Sequence, residues 1–371
     1  MKVALVHDWL TGMRGGERCL EAMCELFPDA DIYTLLHIPG SVSKIIERHK
    51  ISTSYLQHFP GIKNRYRYYL PLMPKAIESL HLKGYDLVIS SSHCVSKGVR
   101  IAGGTPHLCY CYTPMRYIWD MYTQYFGNNR LNALAMSSFR EYLKNWDISS
   151  SARVGRFIAI SETVQKRIKR CYNKPATIVY PPVDTGRFRI QGKEEDFYLI
   201  VGAFAPYKRV DIAVKAFNLL EHSLKIIGCG QEEYNLKKLS GRNIEFLGWK
   251  SDEEIADFYS RCKALIFPGE EDFGIVPVEA MASGKPVLAF AAGGALETVI
   301  PYDEKYRDSR RATGILFNQQ NPESLIGAIN QFEQVKREFD PEAIRNHAER
   351  FDKGVFVREF LKRIGEFLSY A

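Results

Sequence analysis

Two glutamates, Glu271 and Glu279, lie on either side of a short apolar run and could accept hydrogen bonds from hydroxyl groups. The preceding residues 264–267 are typical of a buried parallel strand, so Glu271 is expected in the loop at the carboxyl end of that strand. Open α/β sheets bind their ligands at this edge. Pro277 suits the first turn of a helix, because the amide that it lacks would be unpaired there.

The backbone amides of Phe273, Gly274, Ile275 and Val276 would then begin a helix, and unpaired amides at a helix start favour a diphosphate. Glu279 would repel a phosphate, whereas a ribose diol offers it two hydroxyl donors. Glu271 would take a hydroxyl of a transferred sugar. The stretch therefore predicts a sugar-nucleotide site, the alternative being an acidic surface turn ahead of an ordinary amphipathic helix.

The following residues predict a helix that closes at Gly284, another buried strand and a glycine-rich turn at residues 292–294. With them the segment resembles the E-x7-E signature of the retaining glycosyltransferases of family four, which have the two-domain GT-B fold. The resemblance spans nearly the whole chain. It implies transfer of a hexose from a nucleotide sugar to an acceptor hydroxyl, with retained anomeric configuration and without a required metal or cofactor.

The resemblance extends to a second constellation. Lys208 matches the family's lysine that grips the donor diphosphate, while Ala203 stands where many relatives carry an arginine, so Arg209 is expected to supply the second charge. Cations at a helix start oppose its dipole, which hints at a bound anion. The alternative is that both cations are solvated residues of a first helical turn.

Three further positions are implied by the family pattern. Gly16 belongs to a loop that looks like the family's Gly-Gly loop, whose backbone approaches the phosphates or the acceptor. Gly230 and Trp249 lie in loops that border the nucleobase in the family. None of these loops has the G-x-G-x-x-G pattern, so a nicotinamide dinucleotide is not indicated.

The chain departs from the family at Tyr112, where many members place a histidine against the sugar. With a reference pKa of about 10, a tyrosine cannot act as a base at neutral pH, but it can donate a hydrogen bond to the sugar or a phosphate. His93 ends another predicted strand and is the nearest replacement in sequence. Structural or capping roles are the alternatives for both residues.

A basic segment with interleaved aromatics is the candidate contact for the acceptor or an anionic membrane surface, and its cations include Lys63, Arg65 and Arg67. Residues 1–180 hold 24 Lys and Arg against 13 Asp and Glu, and the remainder holds 26 against 30, giving +11 and −4. A basic half suggests an anionic partner. The alternative for the segment is an ordinary helix with a charged face.

At 371 residues the chain exceeds one comfortable core. We expect two Rossmann-like doubly wound domains facing a cleft: residues 1–180 for the acceptor, residues 181–352 for the nucleotide sugar, and a helix at 353–371 that crosses back to the first domain, as in GT-B proteins. The double proline Pro181-Pro182 marks the linker. The predicted strands are 2–7, 31–35, 86–90, 107–112 and 156–160, then 197–202, 224–228, 244–248, 264–267, 286–290 and 314–317.

The composition, 46% hydrophobic and 25% charged, is typical of a soluble globular protein, and no apolar run is long enough for a membrane span or a signal peptide. We therefore expect a cytoplasmic protein, peripheral at the inner membrane face if the basic segment binds lipid. The 8 cysteines are expected to be reduced. His107, Cys109 and Cys111 would alternate along a strand, which is too extended to hold one metal ion.

Two rival functions remain at this point. One is another GT-B enzyme, such as a nucleotide-sugar epimerase, and the other is a non-enzymatic module that binds nucleic acid through the basic half. The second leaves the paired glutamates and the glycine loops unexplained, so no nucleic acid is expected as a partner. By its motifs the chain resembles bacterial mannosyltransferases of polysaccharide assembly, which favours GDP-mannose as the donor, with UDP-glucose as the competitor and a saccharide or lipid-linked acceptor.

Overall fold

The computed structural model describes residues 1–120, 130–303 and 311–369. Contacts divide the chain into two compact units. Unit 1 comprises Met1–Pro182 together with the segment from Phe356 onward, and unit 2 comprises Val183–Val355.

Unit 1 contains a parallel sheet whose chain order reverses near its middle. The strands are β1 (Val3–His7), β2 (Asp31–Thr34), β3 (Ile51–Thr53), β4 (His81–Leu82), β5 (Leu87–Ser92), β6 (Arg100–Ile101), β7 (His107–Cys111), β8 (Arg156–Ala159) and β9 (Ala176–Ile178). The main sheet has the order β3-β2-β1-β5-β7-β8-β9, and β4 pairs with β6. The reversal lies between β1 and β5, which pair in parallel.

Helices connect these strands. They are α1 (Gly15–Leu26), α2 (Lys44–Glu47), α3 (Ile62–Arg65), α4 (Met73–Glu78), α5 (Arg116–Trp119), α6 (Arg130–Ser151) and α7 (Glu162–Tyr172), with 3₁₀ turns at Tyr55–His58, Tyr66–Leu72 and Ser96–Gly98.

Unit 2 repeats the same design. Its strands are β10 (Tyr198–Val201), β11 (Leu224–Ile227), β12 (Ile244–Gly248), β13 (Leu265–Phe267), β14 (Val287–Phe290) and β15 (Gly314–Phe317). They form one parallel sheet in the order β12-β11-β10-β13-β14-β15, so the reversal lies between β10 and β13.

The helices of unit 2 and the chain end complete the element order. They are α8 (Val210–Phe217), α9 (Glu233–Leu239), α10 (Asp252–Arg261), α11 (Ile275–Ala282), α12 (Ala295–Thr298), α13 (Pro322–Val335), α14 (Pro341–Ala348) and α15 (Lys353–Leu368), with 3₁₀ turns at Thr185–Arg187, Pro206–Lys208, Lys336–Glu338 and Glu349–Phe351.

Local sequence explains where several elements begin and end. Ser161 caps α7 by accepting a hydrogen bond from the amide of Val164 at 3.1 Å, and Asn173 ends that helix in the left-handed conformation with φ 52°. Ser251 and Glu254 form a capping box at the start of α10. β1 and β5 are buried along their whole length, as expected for strands covered by helices on both faces.

The last helix, α15, belongs to the core of unit 1. The rings of Phe356 and Phe360 stack on each other with centroids 5.1 Å apart. Each also meets the ring of Tyr110, a fully buried residue of β7, edge-on at 5.7 Å. Burial of each phenyl ring contributes about 2 kcal/mol to the free energy of unfolding, so α15 is held firmly to the sheet.

The predicted doubly wound fold is confirmed in both units, and every strand that the sequence predicted is present. Of the predicted terminal helix, Tyr370 lies outside the described residues. The sequence missed β3 and β9, the two edge strands of the unit 1 sheet, and the two-residue strands β4 and β6. β3 and β9 have 3 residues each, all half-buried. Neither strand therefore has the continuous apolar run from which a strand can be predicted.

Candidate active site

The reversal point of the unit 2 sheet brings Lys208 and Glu271 together. Lys208 lies in the 3₁₀ turn that follows β10, and Glu271 lies in the loop that follows β13. The Lys208 ammonium donates a hydrogen bond to the Glu271 carboxylate, and the two side chains are 19% and 21% exposed. Because doubly wound sheets bind ligands where the strand order reverses, this pair marks the candidate site of unit 2.

Glycines allow the loops of this site to touch. A Cβ at Gly269 would lie 2.9 Å from the Cα of Lys208. A Cβ at Gly294 would lie 2.2 Å from the carbonyl oxygen of Phe273, and the Gly294 amide donates to the carbonyl of Glu271 at 2.8 Å. The glycine-rich turn after β14 therefore supports the loop that carries Glu271.

Arg209 has partners of its own. It is a non-glycine residue with a positive φ of 52°. Its guanidinium donates to Asp211 at 3.0 Å and to the Gln320 side chain at 3.2 Å. Gln320 in turn donates to the carbonyl of Pro268 at 2.9 Å, which ties the turn after β10 to the loop after β13. The role predicted for Arg209, a second positive charge that binds the donor diphosphate, stays a prediction.

α11 begins where the sequence predicted a helix start. Gly274 precedes it with φ 86°, a conformation that favours glycine, and because glycine has no side chain it cannot cap the first turn. Pro277 lies in that turn as predicted. Ile275 and Val276 are the first two residues of the helix, so their amides have no acceptor inside it. Phe273 is 3% exposed, and its ring packs on that of Phe351. The ligand contact of its backbone amide stays a prediction.

Glu279 lies in α11, and a hydroxyl fixes its carboxylate. The Tyr259 hydroxyl donates to Glu279 Oε2 at 3.2 Å, and Tyr259 is fully buried in α10. Burial raises the pKa of Tyr259 and the nearby carboxylate adds to the shift, so the phenol stays protonated and remains a donor. Glu279 itself is half-buried, and the ribose contact assigned to it stays a prediction.

The two positions assigned to the nucleobase lie on loops at the carboxyl ends of neighbouring strands. Gly230 follows β11, and a Cβ there would lie 2.7 Å from the backbone nitrogen of Phe204. Trp249 follows β12 and is 76% exposed. The backbone of Gly230 thus packs against the loop after β10, and the Trp249 ring is available to a ligand.

The reversal point of the unit 1 sheet brings Asp8 and His93 together. Asp8 directly follows β1 and His93 directly follows β5. His93 Nδ1 lies 3.0 Å from Asp8 Oδ2, with side-chain exposures of 26% and 0%. His93 is thus one of the predicted residues that the structure places at a sheet reversal.

Tyr112 lies beside Gly16 and uses its hydroxyl on protein partners. The hydroxyl donates to the Gly16 carbonyl at 2.9 Å and lies 2.7 Å from the Ser91 hydroxyl. Burial raises the pKa of the Tyr112 phenol, and a negative charge on the nearby Cys19 thiolate would raise this pKa further. This geometry gives Tyr112 a role in positioning Gly16. Its predicted contact with substrate, like the phosphate or acceptor contact of Gly16, stays a prediction.

The predicted basic segment is a surface of unit 1. Lys63 and Arg65 lie in α3 and Arg67 in the following 3₁₀ turn, and all three are exposed. Tyr68 is 83% exposed, whereas Tyr66 is buried with its ring 5.1 Å from that of Trp9. Tyr66 therefore anchors the segment. None of the helices that the structure describes is long and apolar enough to cross a membrane.

His107, Cys109 and Cys111 alternate along β7 as predicted. Among the residues that the structure describes, no three His, Cys, Asp or Glu side chains are grouped so that they could hold a metal ion. His107 instead uses both ring nitrogens on protein groups: Nε2 lies 2.9 Å from Ser90 Oγ, and Nδ1 lies 3.3 Å from the Arg153 carbonyl.

Asp8, Tyr259 and Gln320 had no role in the sequence-based prediction. Asp8 carried a signal, because a charged residue directly after a wholly apolar strand must lie at the sheet edge where ligands bind. Tyr259 and Gln320 carried none, because each acts on a residue that is distant in sequence and adjacent only after folding.

Comparison with known proteins agrees with this geometry. Residues 13–187 match the model for "Glycosyltransferase Family 4", and residues 185–351 match the model for "Glycosyl transferases group 1". The O-antigen chain mannosyltransferase RfbU of Salmonella typhimurium is 30% identical over 212 residues, which are 52% of this chain and 57% of that protein. The chain spans about half the length of the curated relatives that it matches.

Two solved structures share the fold. Sucrose-phosphate synthase from Thermosynechococcus elongatus superposes with a TM-score of 0.75 at 17% identity, covering 100% of both chains. Anabaena HepE in complex with UDP-glucose superposes with a TM-score of 0.69 at 17% identity, covering 99% of this chain and 100% of that one. Because the two family models together account for residues 13–351, the chain belongs to the glycosyltransferases of family four, which have the GT-B fold.

Proposed function

We propose that the protein transfers a hexose from a nucleotide sugar to an acceptor hydroxyl with retention of the anomeric configuration. The observation that carries this proposal is the Lys208–Glu271 pair at the reversal point of the unit 2 sheet, next to the uncapped start of α11. One ammonium, one carboxylate and a row of amides supply what a sugar diphosphate needs: charge for the phosphates and an acceptor for a sugar hydroxyl.

Departure of the nucleoside diphosphate from an oxocarbenium-like sugar is the barrier, so the protein must stabilise charge on the leaving oxygens. Lys208 and the amides of Gly274 and Ile275 would do this, with Arg209 as a second cation. A diphosphate carries more charge than one carboxylate and would draw Lys208 toward itself, leaving Glu271 for the sugar. The leaving phosphate can then accept the acceptor's proton, so neither a metal nor a protein base is required.

GDP-mannose is the favoured donor and UDP-glucose the competitor. The mannosyltransferase relative supports the first, and the fold shared with HepE, which was crystallised with UDP-glucose, keeps the second open. We propose a saccharide or lipid-linked acceptor and peripheral binding to an anionic membrane surface through Lys63, Arg65 and Arg67. The charge of +11 on residues 1–180 supports that surface.

A thermal-shift panel of nucleotide sugars, followed by a transfer assay with and without EDTA, tests this proposal. We expect Lys208→Ala and Glu271→Ala each to lower turnover on the order of 10²-fold while the protein stays folded. Lys237→Ala and Asp257→Ala, which break exposed ion pairs elsewhere in unit 2, are the matched controls. Near-normal turnover of either site variant refutes the assignment, and donor turnover without an acceptor would favour the epimerase.

A further inference from the structure

The carboxylate of Asp8 is enclosed by backbone amides. It accepts hydrogen bonds from four consecutive amides, those of His93, Cys94, Val95 and Ser96, at 2.7–2.9 Å. The side chain is fully buried. Burial opposes its ionisation, yet the charge and hydrogen bonds of His93 hold the pKa of Asp8 below its usual value. Asp8 is therefore an ionised carboxylate with a fixed orientation.

This carboxylate fixes the His93 ring. An ionised carboxylate has no proton to give, so Nδ1 of His93 must be the donor across the 3.0 Å contact. The Trp9 ring packs edge-on against the imidazole at 4.5 Å and limits its rotation. Nε2 is the nitrogen left over. Among the described residues Nε2 has no hydrogen-bond partner. It is also not among the buried side-chain atoms that lack a hydrogen-bond partner, so it faces solvent.

The charges around the imidazole decide what Nε2 can do. Burial lowers the pKa of His93, but Asp8 and then Glu17 raise it and Arg14 lowers it, with a net increase above 6.5. The other rings that face it are those of His7 and Tyr112, each with its centroid 6.3 Å away. The raised pKa favours the form in which both nitrogens carry a proton. In that form His93 is a hydrogen-bond donor carrying positive charge.

We propose that Asp8 positions His93 so that its Nε2–H donates a hydrogen bond to a phosphate oxygen of the substrate. The inference rests on the proposed transferase function and gives unit 1 its own substrate-binding group. Three features carry it: the placement of both residues at the reversal point of the unit 1 sheet, the four amides that stabilise the ionised carboxylate of Asp8, and the solvent-facing Nε2. The phosphate is either that of a nucleoside diphosphate or that of a lipid.

Nitrogen-15 NMR of the histidine rings tests the proposal on the whole chain, with His93 assigned from the spectrum of His93→Gln. We expect the His93 ring to titrate above pH 6.5 and to titrate lower in Asp8→Asn. Its Nε2 signal should shift when GDP or dodecyl phosphate is added. A response to GDP alone assigns the donor diphosphate, and a response to dodecyl phosphate alone assigns the lipid phosphate. No response to either ligand, or titration below pH 6.5, overturns the proposal.

Kinetics supply a readout that does not depend on Asp8→Asn folding. We expect His93→Gln, which keeps a neutral donor, to lose about 10-fold in kcat/KM, and His93→Ala to lose on the order of 10²-fold. The alkaline limb of the wild-type pH profile should be absent in both. A His93→Ala enzyme with unchanged kcat/KM and pH profile contradicts the proposal. The NMR titration needs no turnover. A negative titration would therefore leave the transferase assignment intact, and an absence of sugar transfer would leave the titration interpretable.

Discussion

Tyr112 shows what a single residue in a family pattern can and cannot tell. The sequence identified the position where many relatives carry a histidine, and this chain has a tyrosine there. Folding places the phenol between the Ser91 hydroxyl and the Gly16 carbonyl, so its one proton is already donated to Gly16. The residue type was readable from the sequence, but its partners were not, because they come from β5 and α1.

Tyr259 gives the sharpest test at the residue scale. The Tyr259→Phe change removes only the hydroxyl that donates to Glu279 Oε2. Without this donor the carboxylate loses part of its fixed orientation, and a hydrogen bond to a charged group is worth about 1.5–3 kcal/mol. If Glu279 binds the ribose, we expect the Kd for the donor nucleotide to rise about 10-fold, measured by calorimetry.

Tyr172→Phe is the matched control for this change. Tyr172 is also buried, and its hydroxyl donates to a carboxylate, Asp147, at 2.9 Å, but it belongs to unit 1. The control should lose stability and keep the nucleotide affinity of the wild type. Equal affinities in Tyr259→Phe and wild type would mean that Tyr259 does not position a nucleotide contact.

At the scale of elements, the loop after β14 holds the loop after β13. Gly294 has φ −64°, which any residue adopts, so only the 2.2 Å approach to the Phe273 carbonyl demands glycine there. We expect Gly294→Ala to force the two loops apart and to lower the free energy of unfolding by about 1–3 kcal/mol. Displacement of Glu271 should abolish most sugar transfer. A transfer assay measures this loss, and a thermal melt of the same variant measures the loss of stability.

Gly327→Ala provides the comparison. Gly327 lies in α13 with open space where a Cβ would stand. This alanine should stabilise the helix by about 1 kcal/mol and leave transfer unchanged. If the two alanine variants behave alike, close loop packing is not the reason for glycine at position 294.

β7 contains a second element-scale feature, the buried His107. Burial lowers the pKa of His107 to about 4, although its hydrogen bond to the Arg153 carbonyl opposes this shift. Between pH 6.5 and 4 the unfolded chain therefore binds a proton that the folded chain does not. Stability should fall by about 3 kcal/mol as the pH drops through this window.

The His107→Gln change should flatten the stability profile of unit 1 between pH 4 and 6.5. The urea midpoint, followed by tryptophan fluorescence, reports it. His58→Gln, a change at an exposed histidine, serves as the control. This variant should show the same dependence of stability on pH as the wild type. A slope in His107→Gln as steep as that of the wild type would assign the pH dependence to other groups.

Much of the fold was predictable from elements. Apolar runs such as β1 and β13 are buried along their whole length, so composition alone marks them as central strands. Lys208 and Glu271 could be assigned to the candidate site from the sequence, Glu271 because it follows a buried strand and Lys208 because it matches the family's motif. Their pairing, and the pairing of Asp8 with His93, depends on which strands become neighbours, which local sequence does not encode.

For the whole molecule, charge is the property that the sequence gives most directly. Residues 1–180 carry +11 against −4 for the rest. We expect the protein to float with vesicles that contain anionic lipid, and binding should weaken with added salt. Changing Lys63, Arg65 and Arg67 together to alanine should remove most of this binding.

A second triple variant separates local from total charge. Lys237, Lys238 and Arg242 are exposed cations of unit 2, and replacing them with alanine changes the net charge by the same amount. This variant should keep vesicle binding. Equal loss in both variants would indicate that net charge, and not the basic segment, drives binding. Failure of the unmodified protein to float with vesicles, with or without anionic lipid, would exclude a membrane surface.

The reversal of strand order in each sheet also has a consequence for the order of folding. Asp8 meets amides 85–88 residues further along the chain, and Lys208 meets Glu271 63 residues further along. Such distant contacts form only after the intervening chain has been ordered, which makes them slow to form. A growing chain therefore cannot bring Lys208 to Glu271 until β13 has docked beside β10. If the pair binds a nucleotide sugar, nucleotide binding would report that these two strands have paired.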